Sequence, residues 1–360
     1  MIELRILQLP LKKPFETSGW QEQNREFILI KVSDGEFAGY GEVVALKDPY
    51  YSSETTKTGW HILEDYLIPL AQAEMDPHQF HLKIENIRGH QMAKAGLEGA
   101  LFDLKARREK KPLFKYYGGD GGRIEVGVSV GIKKTVGELI DEIAGFLDEG
   151  YVRVKIKIKK GWDIKVLESL RREFPKIKLW ADANGGYTAD DTEYLKGLDG
   201  FDLELLEQPF PPDDLVSHAQ LRKEMKTRVC LDESVTSIER LKSAVALGAI
   251  DILNLKVGRV GGVIEALKIL EICKEHKIPV WVGGMLETGV GRGHNLHLAS
   301  NPAFSLTPDL SASDRYYEED ICEPPFLLKE GMLSVPDGSG IGVAVREDLV
   351  DRFTVHKRVF

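Results

Sequence analysis

Eight short apolar runs, separated by stretches of helical spacing, constrain this chain more than any other feature. They lie at residues 125–132, 151–158, 177–184, 203–210, 229–235, 250–258, 278–285 and 304–310. Amphipathic patterns fall between them, as at 136–147, 164–174 and 263–275. Eight strands with intervening helices predict an α/β fold, a TIM-type (β/α) barrel whose last turn and helix are atypical.

The chain before this rhythm is built differently. Residues 1–44 carry short alternating runs, with 27–32 the clearest and Ser33-Asp34-Gly35 as a turn, the pattern of antiparallel strands and hairpins. Helical patterns follow at 58–73 and 91–109. Residues 1–120 are therefore expected to form an α+β capping domain ahead of a barrel at 121–320. Short strands return in 321–360, which is expected to fold back onto the capping domain. A length of 360 residues suits a barrel with one smaller domain.

Composition narrows the classes of function. Hydrophobic residues make up 42% and charged residues 29%, ordinary for a soluble globular protein. A net charge of −9 with no basic stripe argues against a nucleic-acid partner. The basic run at 105–111 has the character of a solvated helix end. Cys230, Cys273 and Cys322 are odd in number and form no CxxC pair, so neither a disulfide framework nor a thiolate zinc site is expected. No apolar run approaches the ~18 residues of a membrane span, and the chain is expected in the cytoplasm.

Barrels carry catalytic side chains at the C-terminal ends of their strands. Asp182, Glu207 and Asp232 each end an apolar run, 25 residues apart in both steps, about one strand–helix unit. Three carboxylates meeting on one rim repel unless a cation sits between them, and an all-oxygen set favours Mg²⁺ or Mn²⁺ over zinc. The competing explanation is that each acid caps the helix after it. In the run at 153–159, alternation sends Val154, Ile156 and Ile158 outward against helices and Lys155 and Lys157 into the interior. There, paired ammonium groups depress each other's pKa, so one lysine can serve as a base. The alternative is an edge strand with a solvated lysine face. Lys256 follows the apolar run at 250–255, across the barrel from Lys157. His294 and His297 stand i, i+3 on a helical pattern and are expected to be packed or solvated. The glycines at 283–293 lack GxGxxG spacing, which excludes a dinucleotide site; Gly283 and Gly284 instead suit close approach of a substrate to the backbone.

Taken together, Lys155-Ile156-Lys157, Asp182-Ala183-Asn184, the LLEQP of 205–209, the LDES of 231–234 and the NLKVGRVGG of 254–262 resemble the enolase superfamily, in its muconate-lactonizing subgroup. The segments at 283–297 and 311–316, with Pro324-Pro325-Phe326, are similar to the branch that holds o-succinylbenzoate synthases and N-acylamino acid racemases. Pro308-Asp309-Leu310-Ser311 stands where dipeptide epimerases of the subgroup carry Asp-x-Asp. Sites of this superfamily pair a Lys or His base with Mg²⁺. The resemblance implies Mg²⁺ on Asp182, Glu207 and Asp232, holding a small-molecule carboxylate and its enediolate. It makes Lys157 the base, Lys155 the residue that tunes it, and Lys256 the lysine of the opposite face. Ser129, Gly284 and Met285 would touch substrate, and loops at Gly19-Trp20 and Asp48-Pro49-Tyr50 would close over it. The activities implied are syn dehydration to o-succinylbenzoate in menaquinone biosynthesis or racemisation of N-acyl (N-succinyl) amino acids. Muconate cycloisomerisation and a non-catalytic barrel rank behind them, and a homo-oligomer is expected.

Overall fold

In the computed structural model, which describes residues 1–360, seven parallel strands follow the rhythm of the sequence. They are Val128–Val130, Arg153–Lys157, Lys178–Asp182, Leu205–Glu207, Arg228–Leu231, Ile252–Leu255 and Val280–Val282, hydrogen-bonded in chain order. Val154, Ile156, Ile158, Leu179 and Leu206 are buried in the main core, as the parity of a barrel strand requires. The other parity faces the axis. Trp180, Leu205, Cys230, Ile252 and Trp281 form a separate cluster there, an apolar plug below the strand ends.

The eighth run does not form a regular strand. Leu306 and Asp309 donate to the carbonyls of Val280 and Val282 (3.3 and 2.9 Å), while Gly127 donates to Pro308 O at 3.0 Å. Residues 304–310 thus lie between the seventh and first strands and close the barrel with isolated bonds. Pro308 has no amide to offer a ladder. Arg153 fills the gap, donating to Thr307 O (3.3 Å), Pro308 O (2.9 Å) and Val128 O (3.3 Å).

The first domain is a four-stranded antiparallel sheet in the order Thr354–Val359, Ile2–Glu16, Gln21–Ser33, Ala38–Val43. The last strand of the chain therefore pairs with the first. Helix Gln91–Arg108 presses on this sheet so closely that a methyl group at Gly41 would strike the Gly96 carbonyl. The helical pattern at 58–73 is shorter and broken: Thr56–Ile62, a π-turn Leu63–Leu67 and a 3₁₀ turn Ile68–Leu70. Pro69 sits in that last turn and permits no regular continuation. The basic run at 105–111 is less solvated than expected, since Lys105 holds Asp76 (2.5 Å) and Arg107 the buried Asp103 (3.0 Å). Cys230, Cys273 and Cys322 are free and buried. No helix is long and apolar enough to cross a membrane.

Carboxylates of the sheet domain dock onto helix N-termini of the barrel. Glu42 accepts from Thr288 N (3.2 Å), Thr288 Oγ1 (2.7 Å) and Gly291 N (3.1 Å), where helix Gly289–Ala299 begins. Glu98 accepts from Ile264 N (3.1 Å) in the first turn of Val263–Glu275. Both meet unpaired amides at the positive end of a helix dipole. His81 completes the joint, 3.4 Å from Glu98 and 3.1 Å from Glu265. Hydrogen bonds to Glu265 and Glu98, opposed by burial, raise His81 to about 9, above its usual 6.5. A raised histidine stabilises fully below its unfolded pKa and loses that contribution as pH climbs through the folded one. The Tm gap between wild type and His81→Gln is therefore expected to be widest below pH 6.5 and to close above pH 9, by calorimetry across that range.

Candidate active site

Ser129, Lys155, Lys157, Asn184, Lys256 and Gly284, at or just past the ends of the first, second, third, sixth and seventh strands, line one cavity beneath the sheet domain. Register places Lys157 beside Asp182 and Asp182 beside Glu207. Asp182, Glu207 and Asp232 are all buried, and none caps a helix: Asp214 and Ser237 cap the helices that follow Glu207 and Asp232. Lys155 and Lys157 are buried and line the cavity. Their strand has a hydrogen-bonded neighbour on each side, which removes the edge-strand alternative. Lys256 lines the same cavity from the far side, just past the sixth strand.

Each acid is held by a cation of the chain. Lys157 reaches Asp182 at 2.6 Å; Lys155 reaches Glu207 at 3.0 Å and the same Asp182 oxygen at 3.3 Å. Lys256 lies 2.9 Å from Asp232, which Arg259 also pairs. The repulsion expected among the three carboxylates is thus met by ammonium and guanidinium groups, and no three acidic, His or Cys side chains stand in metal-holding geometry. Nor is Lys155 depressed by its surroundings as a whole. Burial pushes Lys155 down, but the carboxylates of Asp309, Glu207 and Asp182 more than reverse it, and the group is raised.

A divalent cation nevertheless suits this donor set. Asn184 Oδ1 and Glu233 Oε2 are buried oxygens without a partner at the same rim. Glu207 and Glu233 are both raised, by burial first and then by the charge of Asp182, a strain that a cation among them relieves. The donors are all oxygens, as hard cations prefer.

Several side chains that sequence reasoning passed over build this site. Gln208 accepts from Asp232 N (3.0 Å) and Ser234 N (3.2 Å), which locks the fifth strand end to the fourth. Asn254 donates to Glu207 Oε1 at 2.7 Å. Tyr51 accepts from Lys256 (3.0 Å) and donates to Asp232 (3.2 Å). Asp309 pairs with Lys155 at 3.1 Å and with Arg153 at 3.1 Å. The LLEQP and NLK motifs contain Gln208 and Asn254, and Pro308-Asp309-Leu310-Ser311 contains Asp309, so their signal was present; Tyr51 sits in an irregular segment with none.

The expected substrate contacts divide. Ser129, Gly284, Met285 and Trp20 line the cavity, and Ser129 Oγ is buried without a partner. Gly19 is exposed and does not line it. Its neighbour Ser18 instead ties the loop down, donating to Ala183 O at 2.9 Å. In the second loop Tyr50 is 70% exposed, and Tyr51 and Leu46 face the cavity in its place. Gly283 and Gly284 have a reason inside the protein: a Cβ at Gly283 would strike Asn254 and lie 2.9 Å from Lys256 Cε, and one at Gly284 would lie 2.6 Å from Asp309 O. His294 and His297 are packed, His294 between Tyr117 OH (2.9 Å) and Tyr40 O (2.8 Å).

Residues 138–349 match the family described as enolase C-terminal domain-like, and residues 1–118 match the mandelate racemase / muconate lactonizing enzyme N-terminal domain. The chain belongs to the enolase superfamily. It is 47% identical to an o-succinylbenzoate synthase of Geobacillus stearothermophilus, over 99% of this chain and 96% of that one. It is 43% identical to an N-succinylamino acid racemase of Amycolatopsis, over 99% and 97%. A solved superfamily member from Listeria innocua superposes with a TM-score of 0.94 at 40% identity, covering 99% and 97%. Enzymes of this superfamily generally use Mg²⁺.

Gly283→Ala in this superfamily member is expected to push Lys256 off Asp232. Overpacking of this kind costs about 1–3 kcal/mol, measurable by denaturant unfolding, with the displaced Nζ visible in a crystal structure of the variant.

Proposed function

We propose that this chain is an o-succinylbenzoate synthase, removing water from a cyclohexadiene carboxylate by syn elimination in menaquinone biosynthesis. One observation carries the chemistry: Lys157 and Lys256 face a single buried cavity from opposite sides, with carboxylates between them. The relatives named o-succinylbenzoate synthase, 40–47% identical along the whole chain, supply the substrate.

Asp182, Glu207 and Asp232 would hold Mg²⁺, or Mn²⁺ in its place. When bound, the ion supplies Lewis-acid stabilisation of charge developing on the substrate carboxylate. Lys157 takes the proton from the carbon next to that carboxylate. Syn loss removes proton and hydroxide from one face, so the same ammonium then protonates the departing hydroxide. Lys155 stays beside it as a cation, and Lys256 supports the negative charge from the other face. Trp20 and Tyr51 bring the sheet domain over the mouth, where they exclude water.

Racemisation of N-succinyl amino acids is the second proposal. It needs a proton acid and a proton base on opposite faces, and Lys256 stands where that second group is required. The Amycolatopsis and Thermus thermophilus relatives named N-succinylamino acid racemase support it.

Turnover of the cyclohexadiene precursor by purified protein is expected with Mg²⁺ and lost in EDTA. Lys157→Ala is expected to lower kcat about 10²- to 10⁴-fold, the usual worth of a general base. Absent dehydration, with α-deuterium uptake from D₂O into N-succinyl amino acids, would move the assignment to the racemase. Mg²⁺ at a hundredfold excess over its Kd is expected to stabilise the fold by about 2.7 kcal/mol. Asp182→Asn should abolish most of that gain in a thermal-shift titration.

A further inference from the structure

The irregular eighth segment delivers a side chain to the cavity that the chemistry above leaves unused. Asp309 Oδ1 is held by Arg153 at 3.1 Å, and its Oδ2 holds Lys155 at 3.1 Å. Arg153 is itself immobile: it is completely buried, bonded to three carbonyls, and stacked 4.2 Å from the ring of Trp180. A methyl group at Gly127 would strike its guanidinium, so the chain has left room for it.

The remaining partners of Lys155 are Glu207 and Asp182, both in the acid trio. A cation held by that trio competes with Lys155 for their oxygens and repels it. Asp309 is the carboxylate partner of Lys155 that stands outside the trio. Without Asp309, the carboxylates left to Lys155 are Glu207 at 3.0 Å and Asp182 Oδ2 at 3.3 Å, the second being the oxygen that orients Lys157. Lys256, four strands from Lys155, is held on Asp232 and makes no ion pair with Asp309.

We propose that Asp309, anchored by Arg153, is a positioning residue that holds Lys155 back from closer approach to Asp182 Oδ2, leaves that oxygen to Lys157, and so keeps Lys157 aimed at one face of the substrate. This rests on the proton abstraction proposed above, in which the Cα–H bond breaks, the proton passes to Lys157 Nζ, and the electron pair stays with carbon and its carboxylate. A consequence follows that a merely structural role does not share: the effect of Asp309 is confined to one face.

The test is Asp309→Asn in the Mg²⁺-loaded enzyme, followed by α-proton exchange in D₂O with each enantiomer of an N-succinyl amino acid. Exchange of one enantiomer is expected to slow about 10- to 100-fold, the range for a misaimed group. The other enantiomer, whose α-proton faces Lys256, should keep its rate, and Asp309→Glu should restore part of the loss. Equal slowing of both, or of neither, overturns the proposal. Where the wild type exchanges neither enantiomer, a crystal structure of Mg²⁺-loaded D309N decides: a shifted Lys155 Nζ supports the assignment and an unmoved one overturns it. Inertness of the wild type toward the cyclohexadiene precursor as well marks failure of the proposed function rather than of this placement.

Discussion

Charge neutralisation inside the barrel mouth is the interaction on which the rest of this structure depends. Asp182, Glu207 and Asp232 are buried together with Lys155, Lys157, Lys256, Arg153 and Arg259, and the side chain of Asp309 is nearly covered beside them. Taking any one of these ions out of water is expensive, and removing a single partner from such a pair costs about 3–5 kcal/mol because the other is left uncompensated. The network therefore has to be nearly complete to exist at all. Below it the plug of Trp180 and Trp281 excludes water and gives Arg153 an aromatic face to rest on. Above it Tyr51 and Trp20 line the mouth. The same groups that make the interior costly to assemble are the ones chemistry needs there.

The sheet domain is more than a lid laid on the barrel. Glu42 and Glu98 reach from it into the first turns of two barrel helices, and Glu54 does the same within the domain, accepting from Met92 N (2.9 Å) and Ala93 N (2.7 Å). Glu54 also ends the loop that carries Tyr51. Helix N-termini are thus used as fixed sockets, and the position of Tyr51 over Lys256 is set by how the two domains seat on them. Gly39 and Gly41 let helix Gln91–Arg108 lie directly on the sheet, which fixes the base on which those carboxylates stand.

Much of the fold was legible because a barrel strand has a strict parity. Val154, Ile156 and Ile158 mark the outward face, so Lys155 and Lys157 had to point inward. The 25-residue spacing of Asp182, Glu207 and Asp232 marks successive strands. Residues 304–310 were read as an eighth strand with an atypical last turn because the run is apolar enough, yet Pro308 removes an amide and only a distant arginine makes good the loss. The helix at 58–73 failed for a like reason at Pro69. Gly283 was assigned to substrate approach, when the space it leaves is filled by Asn254 and Lys256.

The sequence by itself determined the superfamily, the strand that carries each acid and lysine, and the face each presents, since these follow from period-2 alternation and motif spacing along one continuous segment. Tertiary structure alone decided which cation answers which carboxylate. That Asp309 reaches Lys155, Tyr51 reaches Lys256, and Arg153 supplies the missing edge of the eighth strand depends on segments far apart in the chain. Their meeting is enforced by burial: a charge sealed from water must find its partner wherever the closing barrel brings one, and no local pattern records that choice.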